Sequence, residues 1–292
     1  MKEKRIYPIY FTFGAIILFV MLFFIPSLMG MIYSFTDWSR YSEEINFVGL
    51  NNFTKIFQQK SNYLLFIKNT LVFTVASTTL KTVLALALAL LFTSKMVKAI
   101  NIHRMIAFSP QVLSTLIVGL VFKSILHPSN GFLNRFLIHV GLGALRHDWL
   151  GGIDTAFKSI IGVDAWKGVG YGMVIFIAGI QAISSDYFEA AKIDGANFWQ
   201  IVKHIMIPCL AHTIVVNVVL SICYGLRVFD IVYVVTNGGP GYATDVINTA
   251  VFLEFSKGNY AMGSAMSTIL AAFTTIISFF ILRNFNKIGG NS

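Results

Sequence analysis

The fold predicted by the sequence is all-α: a polytopic membrane protein with six transmembrane helices. Three observations carry this. Of 292 residues, 56% are hydrophobic and only 12% are charged. The mean hydropathy is +0.72, which is not the composition of a soluble globular chain. Apolar runs reach the roughly 20 residues that a bilayer demands, and a run of that length in lipid satisfies its own backbone as a helix.

The first span runs from Ile9 to Ile32, behind Lys2, Lys4 and Arg5. That basic start mimics a signal peptide, but the apolar part is too long and no small-x-small cleavage site follows. Pro26 is expected to kink it. Tyr33 to Lys68 is polar and aromatic and reads as an external loop with a short helix. The second span covers Asn69 to Phe92, with Lys81 near its middle. A charge there costs several kcal/mol unless it faces a cavity or a partner. A short basic loop, Thr93 to Arg104, leads to the third span, Met105 to Leu126, which contains Pro110. After the Gly- and Asn-rich loop His127 to Thr155 comes the fourth span, Ala156 to Ile183. The fifth covers Pro208 to Val235 and ends in an emphatic turn, Thr236-Asn237-Gly238-Gly239-Pro240-Gly241. The sixth covers Ala261 to Leu282.

Six spans place both termini on one side. Lys2, Lys4, Arg5, Lys95, Lys98, Arg104, Lys192, Lys203, Arg283 and Lys287 fall in the short segments of that side. The other side spreads its basic residues over longer loops, so both termini are expected in the cytoplasm. The net charge of +9 is explained by such flanks. No basic stripe suggests nucleic acid. Cys209 and Cys223 form no CxxC, and the six His residues show no metal-ligand spacing, so no metal site is assigned.

Between the fourth and fifth spans lies the longest polar-containing segment that reads as ordered helix, Asp186 to Leu210. Asp186 is expected to cap a helix, with Glu189 reaching back. Ala190 and Ala191 keep that helix thin, and Asp194-Gly195 supplies a turn because Gly tolerates positive φ. A second helical run follows and is stopped or kinked near Pro208. From the residues alone this segment is either a docking element or an amphipathic loop lying on the membrane.

Charged pairs raise a similar choice. Asp164 and Lys167 in the fourth span, and Arg227 and Asp230 in the fifth, are spaced i, i+3 and are expected to pair. They line a polar interior or act as structural glue. Gly162, Gly168, Gly170 and Gly172 crowd the fourth span beside Tyr171. That face serves helix packing or frees space for a polar ligand.

Glu189-Ala190-Ala191, Asp194-Gly195-Ala196, Ile205, Ile207 and Pro208 resemble the EAA loop of binding-protein-dependent ABC importer permeases, with Ile207 where Leu is usual. Phe47 to Phe53 resembles the sugar-type members. So do Trp166-Lys167-Gly168 with Tyr171, Ala178 to Gln181, and Phe229-Asp230 before the Gly-Pro turn. The resemblance covers nearly the whole chain and is closest to carbohydrate-type permeases such as the larger maltose-importer subunit. It implies a type I importer permease fold in one domain, residues 1–292, with a coupling loop at 184–208. It implies that Glu189, Ala190, Ala191, Asp194 and Gly195 couple to a separate ATPase. Carried over motif by motif, it implies sugar contacts at Lys167, Gly168 and Tyr171, and at Ser221, Tyr224, Gly225 and Val228. The last four are spaced i, i+3, i+4, i+7 on one helix face, and Gly225 and Val228 depart from polar residues of that subgroup.

The implied partners are a second permease subunit, two ATP-binding subunits, an extracytoplasmic sugar-binding protein and membrane lipid, in a bacterial cell membrane. No GxxxxGK[ST] loop is present. The chain is therefore expected to bind no cofactor, with Mg-ATP on the partner ATPases. Alternative readings are a permease for a polyol, a glycerol phosphodiester or an acidic sugar, Arg227 favouring an anion. A membrane enzyme using His139, His147 and Asp148 is a further alternative, as is a secondary transporter, for which no inverted repeat is visible.

Overall fold

Among the described residues four helices are long and apolar enough to cross a bilayer, and two bent helix pairs, each counted as one span, bring the number of candidates to six. The computed structural model describes residues 10–58, 62–94 and 99–289. Lys2, Lys4, Arg5, Lys95 and Lys98, which carry much of the sidedness argument, lie outside the described residues.

The first span is α1 (Tyr10–Phe19), a π-helical turn (Val20–Phe24) and α2 (Ile25–Tyr33). Pro26 has no N–H to offer and its ring crowds the preceding turn. The π turn just upstream widens the helix there, so the chain stays helical past Pro26. Then come α3 (Asn51–Ile56), within the loop expected to hold a short helix, and α4 (Tyr63–Thr93), six residues longer at its start than the predicted second span.

The third span is not one helix. It is α5 (Ile100–Val112) and α6 (Thr115–Ile125), bent by 98° at Leu113 and Ser114, whose ψ values of 141° and 135° are extended. Pro110 sits three residues before the break, where the helix lacks a backbone donor. The following loop contains α7 (Phe132–His139), and α8 (Ile153–Gln181) is the fourth span.

The loop expected to dock begins with α9 (Ser185–Ile193) and α10 (Phe198–Ile201). A second π turn, Val202–Met206, precedes α11 (Ile207–Cys209) with Pro208 at its start. Both prolines therefore follow a five-residue π turn at the same spacing. The chain bends by 67° before α12 (Ala211–Leu226). The predicted fifth span is corrected here: the helix ends at Leu226, and α13 (Asp230–Val235) is a separate short helix. The Gly-Pro turn is as emphatic as expected, with positive φ at Asn237, Gly238 and Gly241. It is followed by α14 (Ile247–Ser256) and α15 (Tyr260–Gly289).

Contacts divide the chain into two units. One comprises the residues through Leu64 with Ala250–Ala272. Within it, the Arg40 N–H donates to the Gly258 carbonyl at 2.8 Å, and Trp38 meets Tyr260 at a tilt with ring centroids 4.8 Å apart. The Asn52 amide nitrogen donates to the Ser34 and Thr36 carbonyls at 2.9 and 2.7 Å, which fixes the loop after α2.

The other unit, Leu65–Thr249 with Phe273–Ser292, holds two apolar cores. The first is built on Phe73, Val118, Ile160, Val163, Ile231 and Val232. The second is built on Ala85, Phe92, Met173, Phe176, Met206 and Leu210. On α4 the first core is met at Phe73 and the second from Ala85. On α8 the first ends at Val163 and the second begins at Met173. About ten residues of each helix, roughly 15 Å at 1.5 Å per residue, lie between the cores. The cleft described next occupies that interval.

Candidate functional site

A cleft is lined by Lys81 from α4, Gln111 from α5, Asp164, Lys167, Gly168, Tyr171 and Gly172 from α8, and Asn217, Leu220, Ser221 and Tyr224 from α12. Its floor is a buried charge network. Lys81 is 8% exposed and Asp164 2%. Lys81 Nζ lies 2.9 Å from Asp164 Oδ2, which also accepts the Ser77 hydroxyl. Tyr224 donates its hydroxyl to Asp164 Oδ1 at 3.0 Å, and Lys81 Nζ stands 4.4 Å from the Tyr224 ring centroid. The helices α4, α8 and α12 are thereby tied at one point. The paired geometry and the ring face meet the cost of a lysine at this depth.

This pairing corrects the expected one. Asp164 pairs with Lys81, not with Lys167, although Lys167 is its i+3 neighbour. Lys167 is half-buried at the cleft wall. Among the described residues Arg227 and Asp230 form no ion pair, because α12 ends before Arg227 and the i, i+3 relation is lost at the break.

Of the seven residues expected at a sugar site, Lys167, Gly168, Tyr171, Ser221 and Tyr224 line the cleft. Gly225 and Val228 do not. Gly225 is where α12 approaches α4: a Cβ there would stand 2.9 Å from Thr74 Cα. Val228 is 3% exposed in the first apolar core, beyond the end of the helix whose face it was expected to share. Gln111, Asn217 and the Lys81–Asp164 pair were missed as lining. Lys81 carried a signal, a charge mid-span that demands a cavity or a partner, and the structure supplies both.

The glycines divide between the two readings. A Cβ at Gly170 would collide with the backbone of Ala107 and Phe108, so Gly170 packs α8 on α5. A Cβ at Gly168 would lie 2.7 Å from Lys81 Cδ. Gly168 therefore makes room for the lysine stem to reach Asp164.

In the loop after α8, the N-cap of α9 is Ser184, whose hydroxyl accepts the Asp186 N–H at 3.3 Å. Asp186 lies in the first turn, where its charge favours the helix dipole, but it is not the cap that was expected. The turn at Gly195 is a Schellman motif. Gly195 N–H donates to the Lys192 carbonyl at 3.1 Å and Ala196 N–H to the Ala191 carbonyl at 2.9 Å, with Gly195 at φ +74°. A capping box then starts α10: Gln200 N–H donates to Asn197 Oδ1 at 3.0 Å and Asn197 N–H to Gln200 Oε1 at 2.7 Å. The Asn197-x-x-Gln200 spacing was the overlooked signal. Glu189, Ala190, Asp194 and Gly195 are exposed, whereas Ala191 is buried against the chain's own helices. Ile193 is 86% and Trp199 73% exposed, large apolar side chains in a polar loop. Such exposure marks an interaction surface.

His147 and Asp148 line a shallow depression with Asn134 and Arg146, and His139 does not. Asp148 Oδ1 accepts the Gly151 N–H at 2.7 Å and the Asp148 carbonyl accepts Thr155 Oγ1 at 2.6 Å. These bonds shape the entry to α8 and hold the carboxylate in a turn.

Comparison with known proteins follows the same lines. The chain is 32% identical over 286 residues to the probable ABC transporter permease protein YurN of Bacillus subtilis, covering 97% of each. It is 33% identical to the trehalose/maltose transport system permease protein MalF of Thermococcus litoralis, covering 90% of this chain and 88% of that protein. A bacterial alginate ABC transporter, solved in complex with an alginate pentasaccharide-bound periplasmic protein, superposes with a TM-score of 0.80 at 26% identity, covering 94% of this chain and 92% of the matched one. Residues 6–288 match the binding-protein-dependent transport system inner membrane components, and the chain belongs to that family.

Proposed function

We propose that this chain is the permease subunit of an ATP-driven importer, that it passes a saccharide through the membrane, and that a binding protein outside the membrane delivers the solute. The observation that carries the reading is the cleft between the two apolar cores. Tyr171, 46% exposed, offers a ring face on which a sugar stacks. Lys167, Ser221, Asn217 and Gln111 surround it with hydrogen-bonding groups. An apolar platform with a few convergent polar groups is the usual build of a small-molecule site. The likeness to a trehalose/maltose permease supports the substrate class.

In this reading the whole chain is one permease domain with both termini in the cytoplasm. A second permease subunit completes the path. Two ATP-binding subunits hold Mg-ATP and receive the loop of α9 and α10 through Glu189, Ala190 and the Gly195 turn. Exposed Ile193 and Trp199 supply apolar area to that contact. Closure of the ATPases moves the loop, and α12, continuous with it through one bend, carries the movement to Ser221 and Tyr224. A ligand-driven partner thus biases a two-state element.

The test is reconstitution of the chain with its co-purifying subunits in proteoliposomes. Uptake of a labelled saccharide that needs both ATP and the binding protein is expected. A purified complex without ATPase subunits, or uptake indifferent to ATP, would contradict the reading.

A further inference from the structure

We infer that the cleft selects a saccharide carrying one negative charge, of the uronate class, and that Lys167 is the residue that reads that charge. The inference rests on the saccharide-import reading above and narrows its substrate class.

Three formal charges border the cleft: Lys81, Asp164 and Lys167. Asp164 is used up inside the protein. Oδ2 serves Lys81 and Ser77, and Oδ1 serves Tyr224. Lys81 is neutralised by that carboxylate and held over the Tyr224 ring. Lys167 has no carboxylate within ion-pair distance among the described residues. Arg227 and Asp230 lie past the end of α12 and do not line the cleft, although the Asp230 carboxylate acts on Tyr224 from outside it. The lining therefore carries one uncompensated positive charge.

A neutral sugar bound there would strip water from the Lys167 ammonium and return no counter-charge, which is costly between two apolar layers. A carboxylate on the sugar removes that cost and gains a charge-assisted hydrogen bond. One positive charge balances one carboxylate. It leaves a phosphate, which carries about −1.5 to −2 at neutral pH, in excess. Closure of Asp164 by three donors leaves Lys167 as the one charged group of the lining that is free to meet the carboxylate, with the Gln111 amide and the Ser221 hydroxyl beside it.

The experiment uses the full reconstituted complex and matched probes: a disaccharide carrying a single uronate, the corresponding neutral disaccharide, and a sugar phosphate. Wild type is compared with Lys167→Gln and Lys167→Arg, each checked for membrane abundance and assembly. Because the binding protein is unaltered, a changed preference belongs to the permease. Wild type is expected to import the uronate. Lys167→Gln is expected to lower uronate import about 10- to 100-fold, the scale of a charged hydrogen bond, and to lower neutral import by less, so that the ratio of uronate to neutral import falls. Lys167→Arg is expected to keep the preference. Uronate import untouched by Lys167→Gln, an equal loss on all probes, or import of only neutral or phosphorylated probes overturns the inference and leaves the import reading standing. Absence of ATP-dependent uptake of every saccharide overturns that reading itself, and the inference with it.

Discussion

The cleft and the exposed loop are built in opposite ways. The loop of α9 and α10 is held by bonds between residues a few positions apart: Ser184 with Asp186, Ala191 with Ala196, Asn197 with Gln200. The cleft is held by partners far apart in sequence, Lys81 with Asp164 and Asp164 with Tyr224. The loop is exposed, and its shape is set by one glycine and two caps. The cleft is buried, and its shape is set by a charge that three helices must share. The loop can move as a piece without losing its own bonds, whereas the cleft cannot change shape without straining a paired charge. That division suits a chain in which one region receives force and the other holds a solute.

The largest effect that would break this contrast is expected at Asp164. Asp164→Ala leaves Lys81 unpaired among apolar layers, at a cost of about 3–5 kcal/mol. The thermal midpoint of the purified complex should fall markedly. Lys81→Met combined with Asp164→Leu should recover the midpoint without restoring uptake. A single variant as stable as wild type would show that the pair does not hold the helices.

Next in size is the turn. Gly195→Val forces a branched side chain into the left-handed region, at about 1–2 kcal/mol, which shifts the population of the turn about 5- to 30-fold. Space is not the issue, since a Cβ at Gly195 meets no atom within 4 Å. ATP hydrolysis by the complex should persist while uptake falls, with the chain still in the membrane. Wild-type uptake in this variant would remove the turn from coupling.

Tyr171→Ala is smaller. Loss of an aromatic face, worth about 0.5–1.5 kcal/mol, should weaken uptake roughly 2- to 10-fold with assembly intact. Unchanged uptake affinity and rate would take Tyr171 off the path.

The smallest effect sharpens the contrast from a third place. Asp37, in the exposed loop after α2, accepts the Asn46 N–H at 2.7 Å, and this bond holds its carboxyl below the usual carboxylate range. Folding therefore favours the charged form. The contribution is present above the unfolded value of 3.8 and is lost as pH falls through the lower folded value. Hydrogen exchange at the Asn46 amide should quicken only in acid below that range. Faster exchange at neutral pH in Asp37→Asn, and faster exchange on acidification of wild type, would agree. Acid-insensitive exchange with a wild-type rate in the variant would not.

What the sequence made legible follows the same division. The Gly195 turn was readable because Gly in a left-handed position is a local requirement. The first, second, fourth and sixth spans were readable from apolar length alone. The breaks in the third and fifth spans were only half readable. Pro110 and Pro208 pointed to them, but the chain absorbs a proline in a π turn at Pro26 and bends beyond one at Pro208, and packing decides which. The partner of Lys81 was not readable. Spacing along one helix nominated Lys167 for Asp164, whereas the helix packing brought Lys81, 83 residues away, to it. Val228 failed for a related reason: the i+7 position counts only while the helix continues, and it stops at Leu226.

The central claim is that the exposed loop takes its movement from a nucleotide-binding partner and passes it to the cleft. A photo-reactive side chain in place of Ile193, 86% exposed at the end of α9, tests this most directly in the assembled complex. The account predicts a cross-link to an ATPase subunit, with a yield that changes between nucleotide-free and ATP-bound states. A cross-link to the external binding protein, or none to any ATPase subunit in either state, would contradict it.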